Sequence, residues 1–368
     1  MFGKIKGDGE MKFKIRSSEL KNFLKKIVPI IKPTNPLDIL TQAKIRVAEN
    51  TLEIDATDLN IWIKGKYPVL SDGKLWHCCA NVRLLYNTLI NLDDVELTIE
   101  RIDNRLNVTW EYGQYQLACQ DVGDFPRMPG ENFKKLLSVS DSEFVKSLKN
   151  ARLFASVNEQ RPAFRSICLG SGDGKMEVVA TEGHTLYLKK FDIEFNLPNI
   201  KLPLQVIDHI KDFENLEIYV DKKLVKFVLD NYEIICSQID DTYPNYRSVI
   251  PTKFIGYINT DRKLLGEVVK RVSIYSFSKL VKANLKLDQG DFVVTSSDVD
   301  KQAIEKITDF DTDLTEFNKT LKMEDIVNAL DVLDEDRVKI IATESEMVLM
   351  SNENGNDTII LIMPIREI

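Results

Sequence analysis

The sequence predicts an α+β protein built from three copies of one module, and three observations lead there. An amphipathic helix opens each third of the chain, beginning near Ser17, Ser140 and Thr260. A strand–turn–strand unit follows, with a Thr or Ser beside an acid in its turn, at Asp58, Glu182 and Asp298. Each third closes near a proline: Pro126, Pro244 and Pro364, spaced 118 and 120 residues apart. The turn acids are 124 and 116 residues apart, so separate landmarks drift together, as they do in an internal repeat. At 368 residues the chain exceeds one ordinary domain. The repeat divides it into an extension at 1–10 and domains at 11–130, 131–252 and 253–368.

The elements follow in order. MFGKIKGDGE is a polar lead without the long apolar stretch or small-residue cleavage site of a secretion signal. A strand begins near Met11. SSELKNFLKKI sets apolar residues at helical spacing behind an N-cap at Ser17 or Ser18. SDSEFVKSLKNARLF carries Ser140 and Glu143 at capping-box spacing, and in TDRKLLGEVVKRVSIYS the cap signal is Thr260. LEIDATDLNIWIKG, MEVVATEGHTLYLKK and FVVTSSDVDKQAI alternate apolar and polar residues around a turn, as antiparallel strands do. A second helix follows in NVRLLYNTLINL from Asn81, PLQVIDHIKDF from Pro203 and KMEDIVNALDVL from Lys322. Pro203 suits a first helical turn. Strands such as ELTIERIDNRLNVTWEYGQYQLACQ complete a copy. Two amphipathic helices on one face of antiparallel sheet is the economical packing.

Composition narrows the chemistry. Hydrophobic residues at 43% and charged residues at 29% give each third enough apolar material for a core. No run approaches the roughly 18 apolar residues that span a bilayer. Five cysteines without a CxxC pair point to a reducing cytosol and structural thiols. Three histidines without HExxH or a Cys/His cluster predict no metal site, and no cofactor motif is present. A net charge of −8 argues against nucleic acid when summed over the molecule. The first helices differ from that sum. They carry Lys21, Lys25 and Lys26 against Glu19; Lys146, Lys149 and Arg152 against Asp141 and Glu143; and Arg262, Lys263, Lys270 and Arg271 against Asp261 and Glu267. The acid is concentrated elsewhere, in NLDDVE, TDFDTDLTE and DVLDEDR.

His184, in VVATEGHTLYLKK, invites a reading as a general base. A base needs a nucleophile or substrate beside it, and no nucleophile elbow or carboxylate pair stands near. The sister turns hold no histidine. A turn histidine bonded to backbone is the plain alternative, and no enzyme is predicted.

MKF at Met11, ATDL from Ala56, DFP at Asp124, VVATEGHTL from Val178, TYPNYRSVIP from Thr242 and the terminal IMPIREI occur together. Their combination resembles the bacterial DNA polymerase III beta sliding clamp family, from Met11 to the chain end. The resemblance implies a cytoplasmic, nucleoid-associated homodimer whose six domains close into a ring, helices inward around duplex DNA. It implies that the ring tethers the replicative polymerase without catalysis and also binds the clamp loader and other motif-bearing proteins. Phosphate contact would be free of sequence preference, from the first-helix cations named above and from Lys32 in PIIKPTNP. Arg161 and Arg165 stand in for tyrosines often present near DNA.

The family's partner-peptide cleft, between domains two and three, corresponds here to Phe164, Thr181, Gly183, His184, Thr185 and Leu186. Pro244, Ser248 and Val249 join them, with Leu361, Met363, Pro364, Ile365 and Arg366 from the chain end. The apolar members would supply most of the affinity, while His184 and Arg366 orient the peptide's polar atoms. Thr185 and Ser248 stand where arginines are usual, and Phe164 where leucine is. These departures imply a more apolar peptide preference, and a virus-encoded or repair-dedicated clamp is the alternative expectation.

Overall fold

The order strand, helix, strands, helix, strands runs three times along the chain. The computed structural model describes residues 11–130, 132–139, 142–156, 160–211, 215–276, 281–298, 300–344, 348–352 and 357–365. The first copy holds α1 (Ser17–Ile27) and α2 (Val82–Ile90), the second α3 (Ser142–Ala151) and α4 (Leu204–Ile210), the third α5 (Arg262–Ser273) and α6 (Met323–Val332). A lead strand precedes each first helix: Met11–Arg16, Lys134–Val139 and Phe254–Asp261. Three strands follow each second helix, ending with Gly113–Gln120, Tyr232–Ser237 and Thr358–Ile362. The chain is thus three β-rich domains, each with a helix pair.

Helix formation follows from spacing. Leu20, Phe23, Leu24 and Ile27 sit at i, i+3, i+4 and i+7 and are all at most 2% exposed, leaving the lysines of α1 on the other side. Leu265, Val268, Val269 and Val272 repeat that spacing in α5 and are as deeply buried. α1 packs on α2, and α5 on α6.

The caps differ from the sequence expectation. Arg16, not Ser17 or Ser18, is the N-cap of α1. Ser17 is buried, its hydroxyl donating to the Asp93 carbonyl at 2.9 Å and accepting from Val95 N–H at 3.0 Å. Asp261 rather than Thr260 caps α5, its carboxylate accepting from Leu264 N–H at 2.6 Å. Thr260 donates instead to the Asp309 carbonyl. In both cases a tertiary partner captures the hydroxyl that local spacing assigned to the helix. Pro203 ends the strand Ile200–Pro203, and α4 begins one residue later. Ser140, the expected cap of α3, lies outside the described residues, as do residues 1–10.

Two compact units divide the chain: residues 1–142 with 209–238, and residues 143–208 with 239–368. Among the described residues of the first, 13 strands make one sheet. In the second, nine strands make one sheet and four make another. The units cut across the repeat because the ladder does. Ile61–Pro68 of the first copy pairs with Tyr232–Ser237 of the second, Ile63 opposite Ile234. Likewise Thr185–Glu194 of the second copy pairs with Thr358–Ile362 of the third, Leu186 opposite Leu361. Main-chain bonding therefore continues from one copy into the next, and the candidate site lies on the second of these junctions.

All five cysteines are buried and free. Burial pushes the Cys79 thiol up to about 11 and Cys168 up to about 12, which keeps both protonated and inert. No helix among the described residues is long and apolar enough to cross a membrane.

Candidate functional site

The turn that joins Lys175–Thr181 to Thr185–Glu194 is held by its threonine and its acid. Thr181 Oγ1 donates to the Thr185 carbonyl at 2.5 Å and accepts from Gly183 N–H at 3.1 Å. Glu182 Oε1 accepts from the backbone N–H of His184 at 2.8 Å and of Thr185 at 2.7 Å, and from the Thr185 hydroxyl at 3.2 Å. Its other oxygen lies 3.2 Å from His184 Nδ1. Gly183 takes φ +102°, in the left-handed region that glycine adopts without steric cost. The Phe164 ring lies against that glycine, 3.6 Å from where a Cβ would stand.

The first copy builds the same turn. Thr57 Oγ1 donates to the Ile61 carbonyl at 2.8 Å and accepts from Leu59 N–H at 2.9 Å. Asp58 Oδ1 accepts from the N–H groups of Asn60 and Ile61 at 3.0 and 2.9 Å. Leu59, with φ +73°, takes the place of Gly183, and Asn60 that of His184. The hydrogen-bonded frame is thus architectural. The imidazole is an addition to it, and its side chain is 74% exposed.

The chain end crosses this turn. Met363 N–H donates to the His184 carbonyl at 2.9 Å, and Ile365 N–H donates to the Thr320 carbonyl at 2.8 Å. Leu186 and Leu361 are buried with Cys168, Val179, Tyr243 and Tyr246 in one cluster beneath. Above it, Met363 at 46% and Val249 at 45% remain open, with Pro364, Ile365, Pro244 and Phe164 half-buried. Ser248 is exposed, its hydroxyl donating to the Asn245 carbonyl. The predicted set therefore splits by depth: Thr181, Thr185, Leu186 and Leu361 are buried, while Phe164, Pro244, Val249, Met363, Pro364 and Ile365 keep apolar surface open and His184 and Ser248 are exposed. Arg366 lies outside the described residues.

Three participants escaped the sequence reading. Glu182 fixes the turn, and its twin Asp58 was the available signal. Glu177 is a carboxylate only 5% exposed in a strand otherwise rich in buried apolar residues. Asp325, in the first turn of α6, has its carboxyl pushed up to about 6 by burial. Lys322 and His184 pull the other way, while Glu182 and Glu324 reinforce the burial.

The first-helix cations differ in exposure and in what holds them. Lys25, Lys149, Lys263 and Lys270 are exposed, and no carboxylate among the described residues pairs with them. Lys21 and Lys26 are half-buried. Lys146 pairs with Asp334, Arg152 with Asp208 at 2.9 Å, and Arg271 with Glu305 at 2.7 Å. Arg262 donates through Nε and Nη1 to the carbonyls of Glu335 and Leu330, both at 2.8 Å, closing the C-terminal end of α6. Lys32 lies 3.5 Å from Asp58. Arg161 stands 5.8 Å from the Phe164 ring centroid, and Arg165 is exposed. Among the described residues no group of three or more His, Cys, Asp or Glu is placed to hold a metal ion.

A family model described as the DNA polymerase III beta subunit, N-terminal domain, matches residues 11–129, and the corresponding C-terminal domain matches 247–366. The beta sliding clamp of Rickettsia bellii is 24% identical over 272 residues, covering 70% of this chain and 71% of that relative. That of Caulobacter vibrioides is 24% identical over 320 residues, covering 82% and 85%. The fold is similar to that of the Pseudomonas aeruginosa sliding clamp bound to griselimycin, with TM-score 0.91 at 19% identity over 98% of this chain and 100% of that one. The beta sliding clamp of C. crescentus gives 0.90 at 22% identity, with the same coverage. With a repeated fold, a motif-bearing turn and two matched terminal domains in agreement, the chain belongs to the bacterial DNA polymerase III beta subunit family, the beta sliding clamps.

Proposed function

We propose that the protein is a DNA sliding clamp: a head-to-tail dimer that encircles duplex DNA, tethers the replicative polymerase for processive synthesis and catalyses nothing. The observation that carries this reading is the threefold repeat whose first helices each keep exposed lysine that no carboxylate among the described residues pairs with, at Lys25, at Lys149, and at Lys263 and Lys270. Such lysines meet phosphate without reading sequence, so contact is loose and salt-weakened while topology does the holding. Domain boundaries fall near 130 and 252, between one copy's last strand and the next copy's lead strand. A tethered polymerase that lets go rebinds as an intramolecular event, which is how enclosure becomes processivity. The work is done in the cytoplasm, on the nucleoid.

Polymerase, clamp loader and other clients insert a short peptide over His184, Met363, Pro364, Ile365 and Val249, with Phe164 and Gly183 at one end. An exposed apolar surface on a hydrogen-bonded frame supports this, because anchor side chains there are desolvated without the site first rearranging. Thr185 and Ser248 offer that peptide no cation.

The test is retention on circular against linearised duplex after loading. Retention on circles and loss from linear DNA is expected, and equal release from both would sink the reading.

A further inference from the structure

The segment that presents Pro244, Ser248 and Val249 is fastened to the sheet by Tyr243, whose buried hydroxyl donates to the Val179 carbonyl at 3.2 Å, and further along by a buried carboxylate. Glu177 lies on Lys175–Thr181 with its carboxylate turned into the protein. Glu177 Oε2 accepts from the Tyr246 hydroxyl at 2.7 Å and from Arg247 Nη2. Arg247 Nη2 also donates to the Ser171 carbonyl at 2.5 Å, and its guanidinium lies 4.5 Å above the Tyr246 ring. The neighbouring strand Ser166–Gly172 is cut away to admit both groups. A Cβ at Gly172 would collide with the Glu177 carboxylate, and one at Gly170 would come within 2.7 Å of the Tyr246 hydroxyl oxygen. Burial, and then the carboxylate beside it, keeps the Tyr246 phenol protonated and donating.

A buried carboxylate is costly unless it is fully partnered. Here its partners are the first two residues of the 3₁₀ turn Tyr246–Val249, and the next two are the peptide-facing Ser248 and Val249. We infer that Glu177 is a positioning residue of the peptide cleft, latching this turn through Tyr246 and Arg247 so that Val249 is delivered to the bound peptide. The inference rests on the reading of the cleft as a peptide site. It makes affinity depend on a carboxylate that touches no peptide.

Fluorescein-labelled peptides tiling the same organism's replicative polymerase subunit supply the probe, the tightest being used in a polarisation titration of the full-length dimer. Glu177→Gln keeps an acceptor for Tyr246 but loses the charge that holds Arg247; Tyr246→Phe removes only the hydroxyl. Each is expected to weaken binding by about tenfold. Melting temperature should fall by no more than a few degrees, as the loss of one buried hydrogen bond gives, and retention on circular DNA should hold. In a Val249→Ala background, where the delivered side chain is gone, Glu177→Gln should cost less than about twofold. A general loss of structure would not be cancelled in that way. Unchanged affinity in both single variants, or a loss that persists undiminished beside Val249→Ala, overturns the latch and leaves the cleft standing. Wild-type protein that binds none of the peptides overturns both.

Discussion

Glu182 holds the turn from which His184 reaches solvent, and the two side chains should separate cleanly by experiment. His184→Ala should leave thermal stability within about 0.5 kcal/mol, as surface changes usually do, while lowering peptide affinity in a polarisation titration. Glu182→Ala frees two backbone N–H groups and a hydroxyl, and should cost about 1–2 kcal/mol in a denaturant melt. If the histidine variant unfolds early and the glutamate variant does not, the roles are reversed. The histidine stood out in the sequence because it is rare. Its neighbouring acid was already legible as a landmark repeated at Asp58 and Asp298, and the matching bonds of Asp58 in the first copy show what the acid does.

At the scale of elements, the first turn of α6 faces the same rim. The Asp325 carboxyl, held at about 6 chiefly by burial, lies above its ordinary 3.8. A group whose pKa rises on folding favours the fold when protonated. Its contribution is complete below pH 3.8 and is lost as pH climbs through about 6. Asp325→Asn, which cannot ionise, should therefore gain on the wild type between pH 5 and pH 7.5, reaching about 1 kcal/mol after allowance for solvent screening. A constant difference in melting temperature across that range would rule the burial explanation out. The amphipathic spacing of α6 was readable from KMEDIVNALDVL. That Asp325 would be covered was not, since burial depends on what the fold packs against it.

Over the whole molecule, a net charge of −8 coexists with first helices whose Lys25, Lys149, Lys263 and Lys270 pair with no carboxylate among the described residues. Pairing decides which cations can act. Arg152, Arg271 and Lys146 are held by carboxylates and Arg262 by carbonyls, while Lys25, Lys149, Lys263 and Lys270 are not. Changing those four lysines to glutamine should flatten the dependence of DNA binding on salt, by about one unit of log–log slope for each that touches phosphate. An unchanged slope would remove them from the DNA path. The same four changes should leave peptide affinity as it was.

By itself the sequence determined the threefold repeat, the amphipathic faces of the first helices and the place of the turn that carries His184. Each of these is written in local periodicity or in spacing that recurs along the chain. Tertiary structure alone decided the rest. It capped α1 and α5 with Arg16 and Asp261 because remote carbonyls took the hydroxyls of Ser17 and Thr260. It ran one sheet from copy to copy through the pairing of Leu186 with Leu361, and it buried Glu177 under a segment almost 70 residues away. Such partners are chosen by burial and hydrogen-bond completion across the fold, and neither quantity is a property of a local stretch of chain.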